Sequence, residues 1–600
     1  MSSIYGWFAT QHFDSIINSN YIARFAPPDC QKSYIEKRSA ALGGHGLSIT
    51  PTHYENDKVL AIIDGDPSWQ DSELATIANA QGAGRALAEG YAKYGKNLLK
   101  QIHGTFSFCL IEPDKNYALI AIDRLGIKPL AYYFQNGEFV FGSQLDQIIA
   151  HPNIKNDITP QALFSYLYFH MIPSPDTIYK AIYKLQPGEF VEVNDGKLNQ
   201  GFYWQVQYTS TPLSKQQCTE QLHNQLQLAV KACQPNPQTG SFLSGGLDSS
   251  TVTGVYQHLS AETTQAFSIG FDAPGYDEME YARATAQHFK VQLHEYYVTP
   301  ADVLAAIPLI AQSYDEPFGN ASAIPAYYCA KFARGHGMQQ LLAGDGGDEI
   351  FAGNARYAKQ KMFDVYSHVP TMFKHLLEPV ADRVFFLKKL QSYIEQAKLP
   401  MPGRMETYNF LHRTPLTEIF ASDFLAQIDT ELPLQNLRQT YNRAETNNLI
   451  KKMLFSDAKF TLADNDLRKV NRMCELAGMA VKYPMLQENM IEFAASIPSN
   501  WLMQGFELRS FYRQAMQGFL AKATLNKSKQ GFGLPFGVWM ASHQNLKDFA
   551  EANLLGIEKR GFLNPAYIKN LIKLHQQGDA SYYGVMIWLL IMLEQWLVTH

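Results

Sequence analysis

Six hundred residues, 46% of them apolar and 13% aromatic, are more than one hydrophobic core organises and predict two domains. A net charge of −5 leaves no basic footprint, which excludes a nucleic-acid-binding protein of the electrostatic kind. The six cysteines, at 30, 109, 218, 233, 329 and 474, show no zinc spacing and no basic-then-apolar leader opens the chain, so reduced buried thiols in a cytoplasmic protein are expected.

In chain order, apolar or alternating runs at 58–63, 106–111, 117–122, 130–134 and 139–141 predict short strands. Turn signals separate them at Asp64-Gly65-Asp66-Pro67, Pro113-Asp114 and Gln135-Asn136-Gly137, and residues 83–100 predict a helix. The aromatic patch 166–170 reads as core packing, with contact to a peptide as the alternative. At 241–251 an apolar run, a Gly-rich turn and a helical start follow one another, Ser-Phe-Leu243-Ser244-Gly245-Gly246-Leu247-Asp248-Ser249-Ser250-Thr. Glycines allow several backbone N–H groups to face one anion, the helix N-terminus adds a favourable dipole, and Ser244, Ser249 and Ser250 can donate from hydroxyls. The spacing is neither a Walker A loop nor a dinucleotide fingerprint. Asp248 would repel a polyphosphate unless a divalent cation lay between them, so the loop predicts Mg-assisted handling of pyrophosphate.

A second turn, Leu341-Leu342-Ala343-Gly344-Asp345-Gly346-Gly347-Asp348-Glu349, crowds three carboxylates into five residues. Such a loop is stable mainly where cations meet it, and Asp348 is expected to join Asp248 on Mg. Beyond it, Pro370, Pro379, Pro400 and Pro402-Gly403 predict several short helices, with 377–403 as an insertion near a substrate entrance. The apolar helix 582–593 is too short to span a bilayer, is interrupted by Glu594 and Gln595, and is expected in a core.

SGGLDSS, Phe267-Ser-Ile269-Gly-Phe271, Asp277-Glu278-x-x-Tyr281-Ala-Arg283, Asp315-Glu316-Pro317-Phe318, GDGGDE and Lys529-Gln-Gly-Phe532 occur in this order and together resemble the asparagine synthetase family. The resemblance implies an α/β protein. Residues 1–205 would be an Ntn-hydrolase-like αββα sandwich, a degenerate class II glutamine amidotransferase-like domain. Residues 206–600 would be an adenine nucleotide α-hydrolase-like (PP-loop) domain with a parallel sheet and many helices. It also implies ATP and Mg as cofactors and adenylation of a carboxylate, with release of pyrophosphate, before an amine attacks. Carried onto this chain, Ser244, Gly245, Gly246, Asp248, Ser249 and Ser250 would hold pyrophosphate, with Asp248 and Asp348 on the metal. Leu243, Ile269, Ala343 and Gly344 would line the nucleotide. Asp345 would position the amine or take its proton, and Lys529 would stabilise charge on the phosphate side.

The N-terminal half departs from the family pattern. Ser2-Ser3 stands where glutamine-using relatives have Cys-Gly, Gly46-Leu47-Ser48-Ile49 where they have Arg-Leu-Ser-Ile, and Asp64-Gly65-Asp66 where they have Asn-Gly-Glu. The aspartate that receives the glutamine amine falls near Ala83-Gly84. Nucleophile and both anchors are changed, so glutaminase activity is not expected. Near the synthetase site, Ala480, Lys482 and Gln487 replace Glu, Arg and Asp, and Asn471 replaces Asp. These departures are similar to those of lasso peptide cyclases and β-lactam synthetases, although the latter have tyrosine at the position of Asp345. The leading expectation is a ligase whose amine does not come from glutamine, acting on a small-molecule or peptide carboxylate. A precursor peptide and a processing protease would then be partners, with no nucleic acid and no membrane span. An ammonia-dependent asparagine synthetase and a non-catalytic scaffold are the alternatives.

Overall fold

The computed structural model describes residues 2–9, 31–37, 40–46, 51–367, 388–527 and 533–600. Lys529 with its Gln-Gly-Phe532, residues 47–49, Cys30 and part of 377–403 lie outside them.

Among the described residues, the chain to Phe202 supplies β1 (Ser3–Ala9), β2 (Gln31–Lys37), β3 (Ala40–Gly46), β4 (Thr52–Glu55), β5 (Leu60–Trp69) and β6 (Ile102–Glu112). It continues with β7 (Tyr117–Ile122), β8 (Ala131–Gln135), β9 (Glu138–Gly142), β10 (Ile182–Lys184), β11 (Glu189–Asn194) and β12 (Lys197–Phe202). They form two antiparallel sheets, ordered β10-β8-β9-β1-β3-β2 and β12-β11-β7-β6-β5-β4. Successive side chains point to opposite faces, so Ile62, Cys109 and Ile120 meet Ile4, Leu42 and Phe141 between the sheets. Ile63, Phe106 and Phe108 turn outward under helices α1 (Ser72–Gln81) and α2 (Ala83–Tyr94). Burial on both faces explains the unbroken apolar runs of β5 to β7.

Two local expectations change. Asp64–Pro67 is no turn: it continues β5, with Gly65 at φ 109° where a Cβ would strike the Thr105 backbone. The helix expected over 83–100 stops at Tyr94, because Gly95 takes φ 56° and a tighter 3₁₀ turn follows. The patch 166–170 packs inward, with Tyr166 fully buried.

The remainder is built on five parallel strands, β13 (Thr239–Phe242), β14 (Gln265–Phe271), β15 (Gln292–Val298), β16 (Gln340–Leu342) and β17 (Ala480–Lys482). Their order is β15-β14-β13-β16-β17. Helices α3 (Lys215–Ala232), α4 (Leu247–Leu259) and α5 (Met279–Phe289) pack on one face, and α6 (Pro300–Ser313) and α7 (Ala323–Gly335) on the other. The chain leaves β13 toward β14 and returns on the opposite side as β16. The crevice between the C-terminal ends of β13 and β16 is therefore a topological switch point, where sheets of this kind bind ligands. Both Gly-rich loops end there, the second running into α8 (Gly347–Phe351).

Later helices close the crevice. Residues 458–467 are wound as a π-helix that continues into α9 (Arg468–Leu476), and α10 (Ser510–Ala515) lies farther on. The C-terminal α11 (Ala580–Thr599) is longer than the 582–593 expected and is long and apolar enough to cross a membrane by length and composition. It packs against α6 and the core instead, with Ile587, Leu589, Leu590, Ile591 and Leu593 completely buried.

The two halves are joined by buried ions. Glu316, with no exposed surface, accepts from Lys184 of β10 and from Arg468 at the start of α9. Removing one partner of a buried pair costs up to about 3–5 kcal/mol, less where a second cation remains, as Arg468 does here. Lys184→Met is thus expected to lower the midpoint of thermal unfolding by several degrees, measured by calorimetry, more than Arg85→Met at the exposed Arg85–Glu89 pair.

Candidate active site

The first loop turns sharply at Gly245, whose φ of 69° and tight approach to the Tyr281 backbone exclude a side chain. Its shape is held from within: Ser244 Oγ and Ser249 Oγ lie 3.0 Å apart, and Gly246 N donates to Ser244 Oγ at 3.3 Å. Gly246 is the N-cap of α4 and no side chain caps that end, so the helix N-terminus faces the crevice. The Ser250 hydroxyl departs from expectation. It is fully buried and bonds Thr285 Oγ1 at 3.1 Å, pointing away from the crevice, because a residue two past Asp248 on the helix faces the core.

The second loop runs alongside, Gly344 so close to Ser249 N that a Cβ there would stand 2.6 Å from it. Asp248 and Asp348 converge on one group that sequence reading missed. Arg509, at the N-cap of α10, reaches Asp248 Oδ2 at 2.7 Å and Asp348 Oδ1 at 3.2 Å from the same Nη1, while Nη2 pairs with Asp248 Oδ1. It is 4% exposed, and the Tyr512 ring lies 4.5 Å from its guanidinium carbon. No motif announces it; only its place opposite two acidic loops does. Two carboxylates meeting on one cationic point are a donor set that fits a hard divalent ion, whose other ligands would be phosphate oxygens and water.

Between the loops lies a cavity of about 490 Å³, lined by Leu243, Ser244, Ile269, Gly344, Asp345 and Arg509 among others. Ala343 is fully buried behind it. Desolvation raises the Asp345 carboxyl to about 6, against the pull of Lys469. Burial works against the charge of Lys469, but Asp466, 2.7 Å away, and Asp345 hold its ammonium above the usual value. Lys527 donates to Ser244 O at 3.3 Å and pairs with Glu278 at 3.1 Å, placing a second unforeseen cation on the phosphate loop. Lys482 turns the other way, to Asp66 of β5, and Asn471 donates to Ile127 O at 2.9 Å. These two departures from the family pattern join the halves instead of lining the crevice.

In the N-terminal half, Asp123 accepts from the backbones of Leu125, Ile127 and Lys128 and so shapes the loop that follows it. That loop delivers Lys128 to Ser2. Lys128 Nζ donates to Ser2 Oγ at 2.7 Å and to Asp64 Oδ2 at 3.0 Å, and Ser2 Oγ donates to the same Asp64 oxygen at 3.0 Å. Burial opposes the charge of Lys128, yet Asp64 keeps its ammonium above the usual value, so it cannot serve as a base for the hydroxyl. Gly84 N donates to Thr52 Oγ1 at 2.8 Å, and a Cβ on Gly84 would stand 2.8 Å from Thr52 O.

Residues 221–598 match the family model for asparagine synthase, and residues 76–204 that for a glutamine amidotransferase domain. The chain belongs to the asparagine synthetase family. Glutamine-hydrolysing asparagine synthetase 1 of Bacillus subtilis is 23% identical over 583 residues, 94% of this chain and 90% of the relative. A Methanocaldococcus jannaschii protein provisionally named asparagine synthetase 2 is 31% identical over 392 residues, 64% of this chain and 74% of its own. Amidase chyE of Penicillium rubens is 21% identical over 623 residues, 92% and 90% of the two chains. As a member of the asparagine synthetase family, the protein is an ATP-dependent, AMP-forming carbon–nitrogen ligase.

The raised Asp345 pKa has a testable sign. Its ordinary value is 3.8, so the folded state disfavours the charged form, and the penalty grows from pH 4 to pH 6 and is constant above. Asp345→Asn is expected to stabilise the ligand-free protein at pH 7 by up to about 3 kcal/mol and to be neutral below pH 4. Thermal melts across that range check it.

Proposed function

We propose that this ligase adenylates a specialised carboxylic acid and joins it to an amine that does not come from glutamine, with the side chain of a peptide Asp or Glu as the preferred acid. The observation that carries the reading is the fate of Ser2. A hydroxyl, a far weaker nucleophile, stands where glutamine-using relatives have a thiolate, and its side-chain neighbours are a protonated lysine and a carboxylate already paired with that lysine. The second support is Gly84, which leaves no room for an acidic side chain to receive a glutamine amine. We place the boundary between a degenerate amidotransferase-like domain, 1–205, and a synthetase domain, 206–600, at the stretch following β12. The five buried, unpaired cysteines among the described residues agree with a cytoplasmic location.

In this reading the substrate carboxylate displaces pyrophosphate from the α-phosphorus of ATP, and the amine then displaces AMP. Ser244, Gly246 and Ser249 bind the β- and γ-phosphates, with Gly245 shaping the loop. Leu243, Ile269, Ala343 and Gly344 form the nucleotide wall. Asp248 and Asp348 hold Mg²⁺, which when bound would neutralise the departing pyrophosphate. Asp345, with a carboxyl near 6, takes the proton of the attacking amine. Lys529 stabilises charge on the phosphate side as AMP leaves.

Pyrophosphate release with ATP and Mg²⁺ tests the proposal on three substrate sets. Aspartate with ammonium, or with glutamine, is expected to be silent, while a cognate peptide gives release and the loss of one water. Release with aspartate and ammonium, accompanied by asparagine, would replace the proposal by a glutaminase-less asparagine synthetase. Ser2→Ala is expected to leave turnover unchanged, and ammonia release from glutamine that this change abolishes would overturn the reading of the N-terminal half. Asp348→Ala is expected to abolish Mg-dependent adenylation with the fold intact by circular dichroism. Lys529→Ala is expected to lower turnover far more than nucleotide affinity, because its contribution arises in the transition state.

A further inference from the structure

Arg509 belongs to none of the motifs, yet it occupies the centre of the crevice. Its Nη1 stands within hydrogen-bond distance of both Asp248 and Asp348, the point that a cation shared by those carboxylates would take. One point cannot hold two cations. Arg509 is also fixed at its root: the backbone is buried in the left-handed region, φ 57°, at the start of α10. Only the side chain can yield. Its Nε is buried and makes no hydrogen bond among the described residues, so the two carboxylates do not satisfy every donor of the guanidinium. A guanidinium matches phosphate as well as it matches carboxylate, with two parallel N–H donors to each.

We infer that Arg509 is an exchangeable counter-ion. In the nucleotide-free site it neutralises Asp248 and Asp348. When the nucleotide enters, it releases those carboxylates to the metal and donates to the pyrophosphate oxygens instead. The inference rests on the reading that this crevice takes Mg–ATP and extends it in one respect: the metal binds together with the nucleotide and not before it. The exchange keeps the number of compensated charges constant, since each carboxylate has a cation in both states and the guanidinium always has an anion. It also explains how Asp348, one of three carboxylates in five residues, is compensated without metal.

Calorimetric titration of the full chain with ATP plus Mg²⁺, with AMP, and with Mg²⁺ alone tests it, with Mn²⁺ paramagnetic resonance as a second readout of metal binding. The wild type is expected to bind Mg–ATP and to take up neither metal alone. Arg509→Met is expected to lose about tenfold to a hundredfold in affinity for Mg–ATP, the range of charge-assisted hydrogen bonds, while AMP affinity is unchanged. The same variant is expected to gain Mn²⁺ binding without nucleotide, because the guanidinium that bridges its two carboxylates is gone. Arg509→Lys, which keeps the charge but not the fork, is expected to show a smaller loss for Mg–ATP with AMP again unaffected, and it carries the test if the methionine variant fails to fold. Equal weakening of ATP and AMP would mark Arg509 as structural and overturn the inference. So would unchanged Mg–ATP affinity, or metal binding to the wild type alone. Failure of the wild type to bind ATP at all would instead sink the reading of the crevice itself.

Discussion

Charge compensation at the switch point is the constraint on which the rest of the structure depends. Two loops from neighbouring parallel strands bring Asp248, Asp345 and Asp348 into one crevice with Glu349 buried next to Asp348, and two like charges about 4 Å apart repel by about 4 kcal/mol at an effective dielectric near 20. The fold answers in three ways. Arg509 reaches across from α10 to hold Asp248 and Asp348. Lys469 stands near Asp345 and Asp466. Burial, with Asp348 adding to it, pushes the Glu349 carboxyl well above the usual carboxylate range, which works against its charged form. A crevice compensated in this way can receive a polyphosphate and its metal, because the cations that settle the empty site are also the ones that anions recruit.

The same logic joins the two halves. Glu316 has no exposed surface and takes Lys184 from the N-terminal sheets and Arg468 from the helix that also carries Lys469. Glu488 accepts from Arg124 and from the Gly104 backbone, the latter at 3.1 Å, and Lys482 reaches Asp66. Side chains that orient the crevice are thus anchored through the N-terminal half, which gives that half a structural role independent of any chemistry of its own. Asp66 and Lys482 each look like an isolated departure from the family pattern, yet they are partners. A shorter acid on one side and a lysine on the other make one contact across the seam.

The N-terminal half keeps the backbone of its fold family while its side chains depart from the pattern of glutamine-using relatives. Asp123 still shapes the loop after β7 through three backbone hydrogen bonds, and β5 and β6 still pair through Asp64 and Gly65. The departure lies in the side chains at the end of β1, where the Ser2 hydroxyl, one oxygen of Asp64 and the Lys128 ammonium hydrogen-bond one another.

The sequence by itself determined the family, the two kinds of sheet and the two Gly-rich loops, because these rest on local chemistry: apolar runs that form buried strands, glycines that permit Gly245 and Gly346 their positive φ, and carboxylates spaced for a cation. It also marked Asp248, Asp345 and Asp348. Strands β1 and β3 escaped it because both are buried along their whole length and carry no polar–apolar alternation, β3 being Gly-rich besides, and Asp64–Pro67 imitated a turn. Only the tertiary structure decided that the Ser250 hydroxyl turns into the core, that Lys482 and Asn471 face the N-terminal half, and that Arg509 lies between the two aspartates. Residues 261 positions apart along the chain meet there, and no local pattern encodes such a meeting. It follows from how α10 packs against α4 and the sheet, which the whole set of buried surfaces fixes together.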